Sequence, residues 1–122
     1  MTVTTILTVD DSRTMRDMLR MALVDAGFRV VQAEDGLHGL DVLRQETPHV
    51  VITDINMPRM DGFGLIEALR QGQKYRAGPI LVLTTESDEE KKMRARRAGA
   101  TGWIVKPFDP AKLIAAIRRV AA

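Results

Sequence analysis

Short apolar runs alternate with amphipathic stretches along the whole chain. The runs are Ile6–Val9, Phe28–Val31, Val50–Ile52, Ile80–Leu83 and Trp103–Val105. Each is short and rich in β-branched residues, the pattern of a strand buried on both faces. Between them the apolar residues recur with a helical period. Met15, Leu19 and Ala22 share one face, with Met18 beside them. Leu37, Leu40 and Leu43 share another. Leu65, Ile66 and Leu69 form a third stripe, and Leu113, Ile114, Ile117 and Val120 form the last. The stretch 87–98 is polar, with only Met93, Ala95 and Ala98 to pack, and predicts the most exposed helix.

Local punctuation supports these boundaries. Gly27 and Gly99 stand just past helical patterns, where a C-cap takes positive φ. Ser87 with Glu90 three residues on reads as a capping box. Asp109 and Pro110 read as an N-cap followed by N1. Thr47-Pro48 predicts the close of the second helix before the third strand. Five β-α units in succession imply an α/β fold with a parallel sheet covered by helices on both faces. We expect a single doubly wound (βα)5 domain over residues 1–122, flavodoxin-like, with strand order 2-1-3-4-5.

Ligands of such sheets sit beyond the carboxyl ends of the strands, so the residues there matter most. The first strand runs into Asp10 and Asp11, the third into Asp54, the fourth into Thr84 and Thr85, and the fifth into Lys106. The second ends at Ala33 and Glu34. Three carboxylates gathered in one crevice repel one another and require counter-charge. Lys106 supplies one positive charge, and a divalent cation would neutralise the rest. An all-oxygen donor set with no cysteine and no nearby histidine favours Mg²⁺ over zinc or copper. A carboxylate beside Mg²⁺, a lysine and a threonine hydroxyl is a phosphoryl acceptor in outline. Asp54 would attack phosphorus in line while Lys106, Thr84 and the cation neutralise the equatorial oxygens. Taken singly, each residue has a plainer role as a turn former, helix cap or solvated group. The weight lies in their joint placement at one crevice.

Composition narrows the classes further. The chain has 122 residues, 45% hydrophobic and 28% charged, which suits one globular domain able to bury a core. No cysteine is present, excluding disulfides and thiolate metal sites and suiting a reducing cytoplasm. The formal net charge of +2 is too small to imply nucleic acid. No signal peptide or membrane-spanning segment is apparent, and the expected location is cytoplasmic.

The motifs Val9–Ser12 (VDDS), Asp54–Gly62 (DINMPRMDG), Leu83-Thr84 and Lys106–Phe108 (KPF) match, in order and spacing, those of one family. Over its whole length the sequence resembles the receiver domain of two-component response regulators. That resemblance implies phosphorylation on Asp54, metal-site acids at Asp10 and Asp11, and the Asn56 backbone carbonyl as a further Mg²⁺ ligand. It also implies a cis peptide before Pro107 that aims Lys106 inward. Asp11–Arg16 (DSRTMR), Gly99–Phe108 (GATGWIVKPF) and the length of the Leu69–Pro79 span are similar to stand-alone CheY-like chemotaxis regulators.

Two positions depart from the family pattern. Thr85 stands where an alanine is usual, adding bulk and a hydroxyl by the donor's approach. Trp103 stands where an aromatic, usually tyrosine, turns inward as the Thr84 side chain moves toward phosphate. Indole is larger and only donates a hydrogen bond, so a swinging ring and a static contact both remain open. The resemblance also implies that Asn56 and Glu86, each two residues past a site residue, modulate attack of water on the acyl phosphate.

Other features read more plainly. The basic run Lys91–Arg97 is a solvated face balanced by Glu86, Asp88, Glu89 and Glu90, or a partner-docking surface shared with Trp103 and the last helix. His38 and His49 read as surface or packing residues. Met57 and Met60 read as a soft rim for a docking donor. The leading functional expectation is a stand-alone, monomeric, non-enzymatic switch. It would be phosphorylated by a histidine kinase and act by binding a protein, in chemotaxis the flagellar motor switch. The alternative is a phosphorelay intermediate or phosphate sink that passes its phosphoryl group to a histidine phosphotransfer protein. A flavodoxin-like cofactor enzyme is disfavoured, because Asp10 and Asp11 repel a bare phosphate. A phosphohydrolase is disfavoured because Asn56 replaces the second acid it would need.

Overall fold

The computed structural model describes residues 3–122; Met1 and Thr2, the start of the segment read above as no leader, lie outside them. Five strands and five helices alternate: β1 (Thr5–Val9), α1 (Arg13–Asp25), β2 (Arg29–Ala33), α2 (Gly36–Leu43), β3 (Val50–Thr53), α3 (Gly62–Gln71), β4 (Ile80–Thr84), α4 (Glu89–Ala98), β5 (Gly102–Val105) and α5 (Pro110–Ala121). The sheet is wholly parallel in the order β2-β1-β3-β4-β5, the order expected for this class.

Alternation along the central strands divides the core in two. Ile6, Val50, Ile52, Leu81 and Leu83 face Leu19 and Leu23 of α1 and Leu113 and Ile117 of α5. Leu7, Val9, Val51 and Val82 face Leu43 of α2, Phe63, Leu65, Ile66 and Leu69 of α3, and Ala95 of α4. The prediction of strands buried on both faces holds for β1, β3 and β4, which are buried throughout. It fails for β2, half-buried with an exposed Arg29, and for β5, half-buried with an exposed Val105. Both are edge strands that pair on one side only, and such strands lie less deeply under the helices. β2 also begins at Arg29, so Phe28 precedes the strand.

Most helix ends fall where the punctuation placed them. Gly27 and Gly99 have φ of 95° and 118°. Asp109 caps α5, accepting from the Ala111 N–H, with Pro110 in the first turn. Two boundaries differ. Asp88, not Ser87, caps α4, its carboxylate accepting from the Glu90 N–H at 2.9 Å. α2 ends at Leu43 with Arg44 as its cap, ahead of Thr47 and Pro48. The stretch expected to be the most exposed helix, α4, has Ala95 as its one buried residue, although α1 exposes a similar share of its residues.

Candidate functional site

Strand register levels the site residues before any side chain acts. Val9 pairs with Thr53, and Val105 with Thr84. The ladder then runs one step past the strands: the Asp10 N–H donates to Ala33 O at 3.1 Å, Asp54 N–H to Val9 O at 2.9 Å, and Lys106 N–H to Thr84 O at 2.8 Å. Asp10, Asp54 and Lys106 therefore leave the same edge of the sheet as neighbours.

Lys106 joins the two acids. Its ammonium lies 2.7 Å from Asp10 Oδ2 and 2.8 Å from Asp54 Oδ2. The second oxygens are held by backbone: Asp10 Oδ1 accepts the Ser12 N–H at 2.9 Å, and Asp54 Oδ1 accepts the Ile55 N–H at 2.6 Å. The Lys106–Pro107 peptide is cis, as the resemblance implies. Oxygens of Asp10, Asp11 and Asp54 all fall within 4.8 Å of one another, with Asp10 and Asp54 buried and Asp11 exposed. Burial lifts the Asp10 carboxyl above its usual value despite the bonds from Lys106 and Ser12, and the neighbouring Asp54 adds to the rise. Burial alone would depress the Lys106 ammonium, but its bonds to Asp10 and Asp54 outweigh that and raise it. One ammonium among three carboxylates leaves two negative charges in excess. An all-oxygen, partly open cluster with that deficit fits a hard divalent cation such as Mg²⁺.

Around this centre, Gly62 opens α3 against the backbone after Asp54. Its N–H donates to Ile55 O at 2.8 Å. A Cβ there would collide with the Asp54 carbonyl, so glycine serves close approach rather than positive φ. Arg16 pins the other flank, donating to Asp10 O at 2.7 Å. Thr84 is fully buried, and its hydroxyl accepts the Glu86 N–H at 3.3 Å. Thr85, the next residue in the chain, is exposed.

Asn56, Glu86, Lys91 and Trp103 form a connected border. Asn56 Nδ2 donates to Glu86 Oε1 at 3.2 Å, and Lys91 of α4 reaches the same oxygen at 2.9 Å. The Lys91 bond, then the Asn56 bond, holds the Glu86 carboxyl below its usual range. Trp103 packs against the core beside α4 and donates Nε1–H to Glu86 O at 3.1 Å. Its indole is thus a packed, anchored ring.

Four remaining readings resolve. His38 and His49 accept backbone N–H groups of Glu34 and Thr5 through Nδ1, both structural roles. Met60 is not a free rim: a Cβ at Gly36 would sit 2.6 Å from its Cγ, and the side chain packs on the core, as does Met57. The bidentate pair between Asp35 and Arg59 was not anticipated, because its partners lie 24 residues apart with no motif linking them.

A family model for the response regulator receiver domain matches residues 6–118. The chain belongs to the response regulator receiver family. Among relatives of this receiver, a probable chemotaxis protein CheY of Rhizobium etli is 37% identical over 116 residues, spanning 94% of this chain and 90% of that protein. Chemotaxis protein CheY-3 of Vibrio cholerae is 41% identical over 109 residues, 88% of this chain and 84% of that protein. The crystal structure of chemotaxis protein CheY4 of Vibrio cholerae superposes with a TM-score of 0.93 at 43% identity, covering 98% of this chain and 99% of that one. Receivers of this kind are two-component signalling proteins, and no helix of the described residues is long and apolar enough to cross a membrane.

Proposed function

We propose that this receiver accepts a phosphoryl group on Asp54 from a histidine kinase and signals by binding a protein partner in the phosphorylated state. The observation that carries the reading is Lys106 held 2.7 and 2.8 Å from two buried carboxylates inside a three-acid cluster. In the transfer, the P–N bond of a phosphohistidine breaks as an O–P bond to Asp54 forms, and the leaving imidazole nitrogen takes up a proton. Asp10, Asp11, Asp54 and the Asn56 carbonyl would hold Mg²⁺, which when bound neutralises charge on the transferred group.

The chain's own residues do the rest. The Ile55 N–H fixes one oxygen of Asp54, which orients the carboxylate. Lys106, already charged and desolvated, is placed to leave Asp54 and follow the phosphoryl oxygens. The Thr84 hydroxyl accepts from Glu86 N–H and keeps its own proton to donate. Asn56 and Glu86, bonded to each other beside the cluster, modulate entry of the hydrolytic water. Thr85 and Pro107 shape the mouth. The site performs one self-modification per phosphate, so the protein acts as a switch rather than a multiple-turnover enzyme.

Both named relatives and the solved neighbour carry chemotaxis names, one of them as probable, which supports a chemotaxis output; the partner proposed for it is the flagellar motor switch, with a histidine phosphotransfer protein as the alternative. The first test is labelling by a small phosphodonor with Mg²⁺, read by intact mass. Wild type should gain one phosphoryl group, and Asp54→Ala should gain none. Undiminished addition in the variant overturns the assignment.

A further inference from the structure

Arg59 is the one non-glycine residue with positive φ among the described residues, at 64°. The Met60 N–H donates to Pro58 O at 2.7 Å. Arg59 is therefore the central residue of a three-residue γ-turn of the rare, strained hand. A glycine would adopt this backbone without cost, whereas a long side chain has no local reason to.

The reason is across the site. Arg59 Nε donates to Asp35 Oδ2 at 2.8 Å and its Nη2 to Oδ1 at 3.0 Å. Asp35 is 2% exposed, and its Oδ1 also accepts the His38 N–H, capping α2. A backbone bond joins the same two segments, Gly36 N–H to Met60 O at 3.0 Å. The two-pronged pair fixes direction as well as distance, which a lysine would not. At its far end the loop is closed by Gly62 N–H on Ile55 O. The stretch between Asp54 and α3 is thus fastened at both ends, with Asn56 in between.

We propose that Arg59, through its fork on Asp35, is a positioning residue that holds the loop after Asp54 so that its oxygens meet the divalent cation. This rests on the reading of Asp54 as a Mg²⁺-dependent phosphoacceptor. The strained turn is retained because it carries the guanidinium to Asp35; its effect reaches the site through the loop.

The test compares wild type with Arg59→Gly, Arg59→Lys and Asp35→Asn. Mg²⁺ affinity is measured by calorimetry, stability by urea unfolding, and labelling rate as a function of Mg²⁺. Arg59→Gly should bind Mg²⁺ about tenfold more weakly, the scale of losing an outer support of a metal site. Its unfolding midpoint should stay near wild type, because relief of the left-handed strain offsets the lost ion pair. Arg59→Lys, which keeps the charge, should not restore affinity. Asp35→Asn, which keeps the cap, should weaken binding in the same direction. In each variant the Mg²⁺ needed for half-maximal labelling should rise while the maximal rate is largely kept. Wild-type Mg²⁺ affinity in Arg59→Gly and Arg59→Lys overturns the proposal, as does a lower unfolding midpoint with unchanged Mg²⁺ affinity. Failure of the underlying reading is seen separately, as a wild-type protein that neither binds Mg²⁺ nor takes phosphate.

Discussion

Asp10 and Asp35 are each 2% exposed, but Asp10 lies far deeper in the surrounding protein, and their carboxyls shift in opposite directions. Asp10 is raised because burial outweighs its bonds to Lys106 and Ser12. Asp35 is lowered because the Arg59 fork outweighs burial, helped by the His38 N–H. The signs of the stability effects follow. For Asp10 the folded value exceeds the unfolded one, so its charge is a burden at neutral pH that eases as pH falls through the raised value. For Asp35 the contribution is whole above the unfolded value of 3.8 and is lost as pH falls through the lower folded one. Asp10→Asn should therefore stabilise the Mg²⁺-free protein at pH 7 by about 1 kcal/mol, as removal of a functional burial commonly does. Millimolar Mg²⁺ should reverse the order, since it stabilises wild type by mass action and the variant far less. Urea unfolding with and without Mg²⁺ decides it; a variant less stable than wild type in both conditions sinks the account. Asp35→Ala should cost about 1–2 kcal/mol at pH 7, the scale of a lost cap, with the deficit shrinking below pH 3.8. A deficit independent of pH would remove the ion pair from the explanation. Asp10, Asp54 and Lys106 were legible in the sequence because a parallel α/β layout sends strand ends to one edge. Asp35 and Arg59 were not, because their meeting depends on one positive φ that no local pattern announces.

At the scale of elements, legibility followed burial. β1, β3 and β4 are covered on both faces and left apolar runs broken only by threonine. β2 and β5 lie at the edges, and their mixed exposure blurred the pattern. The cap of α4 was misplaced by one residue because Ser87 and Asp88 both satisfy the rule, and only backbone geometry selects Asp88. The same segment couples two elements. The Glu86 peptide gives its N–H to Thr84 at the end of β4 and its carbonyl to Trp103 on β5. Under the proposed function, a shift of Thr84 toward phosphate would disturb the bond that anchors the indole. Trp103 is the single tryptophan, so its emission reports this directly. Mg²⁺ with beryllofluoride should change Trp103 emission in wild type and leave Asp54→Ala unchanged. Identical spectra for the activated and resting wild type would show that the ring does not follow Thr84.

Over the whole molecule, anchoring is uneven in a way that suits a switch. The two clusters fix α1 and α5 on one face and α2 and α3 on the other through large buried side chains. α3 alone buries Phe63, Leu65, Ile66 and Leu69. α4 contributes Ala95 as its one buried residue, and its hold on the site runs through polar contacts, Lys91 to Glu86, partly buried, and Glu86 to Asn56, exposed. A methyl group offers far less apolar area than leucine or phenylalanine. α4 should therefore open at the lowest free energy of the five helices, as regions with few buried apolar contacts do. Hydrogen exchange followed by mass spectrometry should show peptides of α4 exchanging fastest among the helices in the resting protein. Activation with Mg²⁺ and beryllofluoride should alter their exchange more than that of α1 or α3, because Glu86 joins Lys91 of α4 to Thr84 at the end of β4. Peptides from α1 or α3 exchanging faster than α4 would break the link between sparse burial and mobility. A change on activation spread evenly over the helices would mean that the acidic cluster acts on the whole core rather than through the β4–α4 segment.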